Sequence, residues 1–153
     1  MQRDELYEIG LAQRRNMFGV QGAEDQVEHT TDVNDKIQEF VTRVCFGDIW
    51  QRPGLSLKDR SKITLAMLIA QGKSHEIRIH IRGALANGVT PLELRELIVH
   101  SILYIGIPGA VEGIRALEEI LDEQGLTFEI DGESHRDGDD ALADATSGKA
   151  GQA

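Results

Sequence analysis

The 153 residues are about one domain's worth, at roughly 100–200 residues per domain, and a hydrophobic fraction of 41% can fill a buried core. Sixteen lysines and arginines against 26 aspartates and glutamates leave a formal net charge of −10, which argues against nucleic acid and anionic membrane surfaces as partners. The single cysteine, Cys45, cannot form an internal disulfide, and the charged start of the chain is unlike a secretory signal, so we expect a cytoplasmic protein.

Apolar residues recur with helical spacing in the first half of the chain. Residues 3–18 form the first predicted helix, and after a polar stretch without a period at 20–32, residues 33–47 form the second. Ser56 is a suitable N-cap for a third helix that runs to Gln71. No part of the chain approaches the roughly 18 consecutive apolar residues of a membrane span, so no membrane is expected as a partner.

The segment 74–86 is ambiguous. Ile77, Ile79 and Ile81 alternate with charged or polar residues, as in a half-buried strand. A helix would instead place Ile77, Ile81 and Ala84 on one face. The pattern by itself favours the helix only slightly.

Two further helices follow. The run 90–93 (Thr-Pro-Leu-Glu) offers an N-cap hydroxyl, a proline at the first helical position and a capping-box glutamate, so it begins a fifth helix that ends near Ile105. The run 106–109 (Gly-Ile-Pro-Gly) breaks the chain, and a sixth helix ends at Gly125. The sequence therefore predicts an all-α domain of about six helices over residues 1–125.

The composition changes at residues 126–153. This segment holds seven acidic and two basic residues, and Gly, Ser, Asp and Ala replace the branched apolar residues. Such a segment lacks the apolar area that offsets the entropy of ordering, so we expect an acidic, disordered tail.

The densest group of functional side chains lies in the ambiguous segment. If that segment is helical, Glu76 and His80 are one turn apart, and the carboxylate can hold the imidazole's tautomer and raise its basicity. A solvated charged face with an incidental ion pair accounts for the same residues, and local spacing favours it. His75 and His80 are five residues apart rather than the four of a zinc-peptidase HExxH motif, so no metal site is expected.

Trp50 and Arg52 flank a Pro-Gly turn. An aromatic wall and a guanidinium can together receive a planar carboxylate. A tryptophan that anchors the loop on the core, with an exposed arginine, is an equally good interpretation.

Three stretches together resemble the γ-carboxymuconolactone decarboxylase family. They read WQRPGL from Trp50, EIRIHIRGALANGVT from Glu76 and YIGIP from Tyr104, within a similarity that spans roughly residues 3–122. The resemblance implies an all-α subunit that assembles into homo-oligomers, trimeric or hexameric, and it makes the ambiguous segment a helix. It also implies a cytoplasmic decarboxylase in the breakdown of aromatic compounds.

The same superfamily includes alkylhydroperoxidase D-type proteins, which use a CxxC pair. The matching positions here are Lys73 and Glu76, so both thiols are absent. The resemblance therefore disfavours a peroxidase-like antioxidant activity.

The resemblance implies a reaction without a cofactor. Loss of CO₂ from an unsaturated lactone leaves electrons that spread into the lactone carbonyl, so the substrate is its own electron acceptor. By this resemblance His80 is the general acid and Glu76 its orienting and pKa-raising partner. Arg52 and Trp50 are expected to anchor a small carboxylate or lactone substrate, with Arg15 as a weaker candidate.

One stretch departs from the family pattern. After the first helix, typical members carry a Gly-Asp-x-His-Val-type stretch with a nearby arginine, whereas this chain reads GVQGAED from Gly19 to Asp25. The missing histidine and two added carboxylates argue against a multiply anionic lactone. The alternative is a related enzyme or binding protein for another small molecule.

Overall fold

Helices account for all regular secondary structure in residues 3–129, the part of the chain that the computed structural model describes, without the side chains of 20–27. In chain order the α-helices are α1 (Glu5–Glu28), α2 (Asp35–Phe40), α3 (Leu57–Ala70), α4 (Ser74–Ala86) and α5 (Pro91–Gln124). A π-helical segment, Val41–Phe46, continues α2, and a 3-10 turn, Ile49–Gln51, precedes α3. The predicted all-α fold is confirmed.

Helix α1 is bent at Gly19. This residue has φ 78° and ψ 164°, a backbone conformation that favours glycine, and helical structure resumes after it as far as Glu28. The helix predicted over 3–18 is confirmed, and the polar stretch 20–32, which has no apolar period, is also helical as far as Glu28. The residues after the bend show no apolar period, yet most are glutamine, glutamate or alanine, which have good helix propensity.

The backbone of α1 passes very close to the π-helical segment. A Cβ atom added to Gly10 would lie 1.8 Å from the carbonyl oxygen of Thr42. A Cβ atom added to Gly47 would lie 2.1 Å from the carbonyl oxygen of Leu6. The two segments therefore touch through their main chains, and any side chain at either glycine would force them apart.

Helices α3, α4 and α5 pack around the main hydrophobic core. Its buried members are Leu65, Ile69, Ile77, Ile81, Ala84, Val89, Leu94, Ile98, Ala110, Ala116, Leu117, Ile120 and Leu121. Tyr7 and Leu11 of α1 form a smaller buried cluster. The main core thus lies among helices α3, α4 and α5, and α1 and the π-helical segment pack beside these helices.

The predicted helix starts at α3 and α5 are confirmed. The hydroxyl of Ser56 accepts a hydrogen bond of 3.0 Å from the backbone N–H of Asp59. At α5 the backbone N–H of Glu93 donates to the Thr90 hydroxyl at 3.1 Å, and the Glu93 carboxylate accepts from the Thr90 N–H at 2.9 Å. This reciprocal pair is the capping box that the sequence predicts.

The ambiguous segment is helix α4. Ile77, Ile81 and Ala84 are buried on the side that faces the core, as the helical alternative requires. On the outer side Arg78 binds α5 through the carboxylates of Glu112 and Glu119, at 3.1 and 2.7 Å. The strand alternative is excluded because burial follows the helical period rather than alternating along the chain.

The predicted fifth and sixth helices form one element, α5, whose backbone is broken at Gly106 (φ 76°, ψ 173°). The predicted break over 106–109 is therefore shorter than expected. Pro108 lies in the first turn after the break, where its missing N–H costs no helical hydrogen bond.

Helix α5 carries an exposed apolar surface near this break. The α5 apolar face comprises Val99, Ile102, Leu103, Tyr104, Ile107 and Val111. Leu103 is 76% exposed and Tyr104 74%. Within the described residues α5 is also the single helix long and apolar enough to cross a membrane, a test that core helices of soluble proteins can meet as well. Its opposite side, including Leu94 and Ile98, belongs to the main core.

Residues 126–129 follow α5 without regular secondary structure. The guanidinium of Arg95 lies over the ring of Phe128, 5.2 Å from its centroid, so Phe128 contacts the first part of α5. Residues 130–153 lie outside the described part of the chain. The domain boundary near residue 125 and the disordered tail over 126–153 stay predictions.

We predict that Gly10→Ala destabilises the fold, because the added methyl group meets a carbonyl oxygen of the neighbouring main chain. The expected loss in the free energy of unfolding is about 1–3 kcal/mol or more, measured by urea denaturation. Gly109→Ala is the matched control, since its methyl group meets the end of the half-buried Ile105 side chain, at 2.7 Å, and this end can move. Equal losses for the two variants would contradict the close main-chain contact.

Candidate active site

Four rings form a continuous row between helices α4 and α1 and the segment that follows α2. His80 meets Phe18 edge to face, with ring centroids 5.8 Å apart and an interplanar angle of 87°. Phe18 meets Phe46 in the same way, at 5.7 Å and 88°, and Phe46 stacks on Trp50 at 5.5 Å and 29°. This aromatic row connects two of the predicted site residues, His80 and Trp50.

The imidazole of His80 is half-buried. Its Nδ1 atom is fully buried and has no hydrogen-bond partner among the described residues. Because Nδ1 is covered, Nε2 is the ring nitrogen that can face a ligand. Burial lowers the pKa of His80, and this effect outweighs the nearby Glu76 carboxylate, which raises it. In the free protein the ring is therefore neutral at neutral pH.

Glu76 lies one helical turn before His80 and is exposed. Its charge acts on the pKa of His80 in the direction that the sequence predicts, but the larger effect is burial, which local spacing in a sequence does not show. The orienting role predicted for this carboxylate stays a prediction.

Trp50 and Arg52 have different surroundings although they are two residues apart. Trp50 is half-buried in the aromatic row, whereas Arg52 is exposed, with its Nη1 atom 3.9 Å from the Asp48 carboxylate. The carbonyl oxygen of Arg52 accepts a hydrogen bond of 2.7 Å from the guanidinium of Arg60. The structure thus places the half-buried Trp50 in the aromatic row and the Arg52 side chain at the surface.

The two adjacent arginines of α1 also differ. Arg15 is exposed, and Arg14 is 0% exposed. Arg14 donates from Nη1 to the hydroxyl of Thr42 at 2.5 Å and from Nη2 to the side-chain carbonyl of Gln38 at 3.2 Å. These bonds tie α1 to α2 and the π-helical segment, so Arg14 has a fold-stabilising role that the sequence analysis missed.

Phe18 and Phe46 are site residues that sequence reasoning also missed. Both lie on helices whose apolar residues have the spacing of ordinary core positions, and no motif marks them. Only the packing of α1 against the segment after α2 shows that these two rings connect His80 to Trp50.

A cavity of about 680 Å³ adjoins the aromatic row where α1, the end of α4 and both ends of α5 meet. Phe18 is one of its walls, and Arg82, which forms an ion pair with Glu123, is a charged group of its lining. The lining residues are Asn16, Met17, Phe18, Gly19, Arg82, Leu85, Ala86, Gly88, Val89, Thr90, Pro91, Gln124 and Leu126.

The described residues contain no group of three or more His, Cys, Asp or Glu side chains placed to hold a metal ion. The thiol of Cys45 is half-buried, and burial raises its pKa although the charge of Arg14 opposes this. Cys45 is therefore a protonated thiol at neutral pH, a form that is a weak nucleophile.

Residues 35–119 match the model of the carboxymuconolactone decarboxylase family. The chain belongs to this family. It is 36% identical to 4-carboxymuconolactone decarboxylase of Acinetobacter baylyi over 129 residues, which cover 84% of this chain and 96% of that protein. It is 35% identical to nitrosuccinic acid decarboxylase npaB of Metarhizium robertsii over 118 residues, or 77% and 82% of the two chains. The match to the family model includes Trp50, Glu76 and His80.

We predict that burial of His80 makes this family member less stable as the pH falls. The unfolded chain binds a proton at His80 near pH 6.5, its ordinary pKa, before the folded chain does, so the free energy of unfolding decreases as the pH drops through that value. His80→Leu removes this dependence, and urea denaturation between about pH 5 and 8 measures the difference from wild type.

His75→Gln is the control for that measurement. His75 lies on the same helix but is exposed, so its substitution leaves the effect of the burial of His80 in place. The prediction fails if the His80→Leu curve runs parallel to the wild-type curve.

Proposed function

We propose that this protein is a decarboxylase of small acids whose own electron-accepting group takes up the electron pair left by CO₂. The observation that carries the proposal is the half-buried imidazole of His80, which has one covered and one available ring nitrogen, in a chain of the carboxymuconolactone decarboxylase family. 4-Carboxymuconolactone, or a related unsaturated lactone or carbonyl acid, is the proposed substrate.

The names of the two relatives support a substrate with a functional group that takes up the electron pair left by CO₂. One relative is named for an unsaturated lactone acid and the other for nitrosuccinic acid. A conjugated lactone carbonyl and a nitro group can both delocalise the electron pair of a carbon that has lost CO₂. The proposed reaction therefore needs no cofactor. The same two names leave the choice of acid open, because the chain is about equally similar to both proteins.

The proposed step breaks one carbon–carbon bond and one N–H bond. The bond to the carboxylate breaks, CO₂ leaves, and the electron pair moves into the lactone carbonyl to give a furanolate. The protonated imidazole of His80 then transfers the proton on Nε2 to a ring carbon and becomes neutral. His80 regains its proton from water in the next cycle.

Because its pKa is lowered in the free protein, His80 can act as the general acid only after the substrate has bound. In the free protein the ring is neutral, so it carries no proton to give as a cation. An anionic substrate beside Nε2 favours the charged imidazolium and raises its pKa, so that the acid form is produced where it is needed. Glu76 adds to the same effect from one turn away.

Trp50 is the proposed apolar wall for the substrate ring by the family resemblance; in the aromatic row the rings of Phe18 and Phe46 lie between it and His80. Arg52 is proposed to bind a carboxylate, because its side chain is exposed and its contact with Asp48 at 3.9 Å is a weak one. Arg15 remains a weaker candidate. The side chains of Glu24 and Asp25, whose charges argue against a multiply anionic acid, lie outside the described residues.

A thiol-dependent peroxidase is not supported. Cys45 is the single cysteine of the sequence, and burial keeps it protonated. Such chemistry needs a thiolate and ordinarily a second thiol to resolve the oxidised one.

We also propose that the protein is a homo-oligomer, trimeric or hexameric, in the cytoplasm. The α5 apolar face supports the homo-oligomer, because a contiguous patch of exposed apolar side chains is typical of protein–protein interfaces. The net charge of −10 still predicts that nucleic acid and anionic membranes are not partners.

We predict that the purified protein releases CO₂ from 4-carboxymuconolactone or a related unsaturated lactone acid, without added metal or flavin. His80→Gln lowers kcat by roughly 10²–10⁴-fold, the usual contribution of a general acid, as followed by mass spectrometry of the product. The value of kcat/KM decreases as the pH rises above the lowered pKa of His80, because the acid form disappears.

His75→Gln, on the same helix, is the control and retains wild-type turnover. Full activity of His80→Gln would remove His80 from the mechanism. Absence of turnover on a whole panel of lactone and nitro acids would end the decarboxylase proposal.

We predict that the wild-type protein has a mass in light scattering that is a multiple of the 16.9 kDa chain. Leu103→Glu places a charge in the α5 apolar face and shifts the protein to smaller species. Ala12→Glu, on an exposed position of α1, leaves the mass unchanged. A wild-type monomer would contradict the oligomer proposal.

A further inference from the structure

We propose that Phe18 is a specificity-determining wall, which separates the cavity of about 680 Å³ from His80 and restricts the ligands that reach the imidazole to small acids. The inference rests on the proposed function in taking His80 as the reacting group. It adds a residue that determines which acids can react.

Phe18 contacts the imidazole of His80 and also lines the cavity. Its ring packs against the imidazole of His80 with centroids 5.8 Å apart, which is direct contact for two rings. The same side chain lines the cavity together with Leu85 and Ala86. Because rings in contact leave no space for a ligand between them, a molecule in the cavity is kept from the imidazole by Phe18.

The position of Phe18 is defined by packing. Phe46 contacts it edge to face at 5.7 Å, and Gly83 lies beneath its edge. A Cβ atom at Gly83 would lie 2.9 Å from Cε1 of Phe18, so the missing side chain is what lets the ring rest against α4. Gly83 is close to one turn after His80, which places the ring directly beside the imidazole.

The cavity behind this wall suits a larger acid. Its volume is in the usual range for small-molecule sites, roughly 300–1,000 Å³. Met17, Leu85 and Val89 supply apolar walls, and the guanidinium of Arg82, which forms an ion pair with Glu123, is the charged group of the lining. An aromatic carboxylic acid with an extended apolar body has the matching chemistry. If the Phe18 ring is removed, the cavity and the space beside His80 become continuous.

The test measures binding at His80 directly. 2-Naphthoate, an aromatic acid with an extended apolar body, is titrated into the ¹³C-labelled protein while the imidazole signal of His80 is followed by NMR. That signal is identified by its absence in His80→Gln. In Phe18→Ala we expect the probe to shift the His80 signal with an affinity roughly tenfold or more above that of wild type. Phe18→Leu, which keeps part of the bulk, gives a smaller gain.

Leu85→Ala is the matched control. This substitution enlarges the same cavity but leaves the Phe18 ring in place, so the His80 signal responds to the probe as in wild type. The inference is overturned if Phe18→Ala, folded by circular dichroism, binds the probe no better than wild type. It is also overturned if Leu85→Ala gives an equal gain. Should Phe18→Ala not fold, Phe18→Leu decides in the same way.

A kinetic measurement separates this inference from the proposed function. For Phe18→Ala we expect the ratio of kcat/KM for a bulky lactone acid to that for a small one to rise roughly tenfold, a change that general loss of stability does not produce. An unchanged ratio in a folded, active Phe18→Ala overturns the inference. If no acid is turned over by any variant, the decarboxylase proposal fails, while the NMR titration still decides the role of Phe18.

Discussion

The edge-to-face contacts of Phe18 with His80 and Phe46 are the interactions on which the candidate site depends. They join α4, α1 and the π-helical segment at one place and remove one side of the imidazole from water. They can form because Gly10 lets α1 approach that segment at main-chain distance and because Gly83 leaves room for the ring on α4. Packing that stabilises the fold is therefore the same packing that positions the proposed acid.

Burial of the His80 imidazole destabilises the fold, but it also serves the proposed reaction. A buried nitrogen without a hydrogen-bond partner, such as Nδ1 of His80, typically destabilises a fold by about 1–3 kcal/mol. The same burial keeps the imidazole neutral until an anion arrives, and the anion then favours the protonated form. In the proposed mechanism the negative charge of the substrate therefore favours protonation of the imidazole of His80, the group that later donates the proton.

We place the specificity of the proposed reaction at the bend of α1. Phe18 lies immediately before Gly19 and separates His80 from a large cavity, and the departure from the family pattern begins at Gly19 itself. Relatives named for two different acids show similar identity to this chain, so overall identity does not distinguish between these acids. The residues around this bend are therefore where this chain is expected to differ from other members of its family.

The sequence alone determined the all-α class, the capped starts of α3 and α5, and the family, because local signals such as Ser56 and the Thr90–Glu93 capping box act within a few residues. It also singled out Glu76, His80 and Trp50 by residue type and spacing. Only the tertiary structure decided that His80 is covered by Phe18, that Arg14 is buried while Arg15 is exposed, and that Arg52 lies at the surface. Burial and ring contacts arise between segments far apart in the chain, and no local pattern records how closely two helices approach.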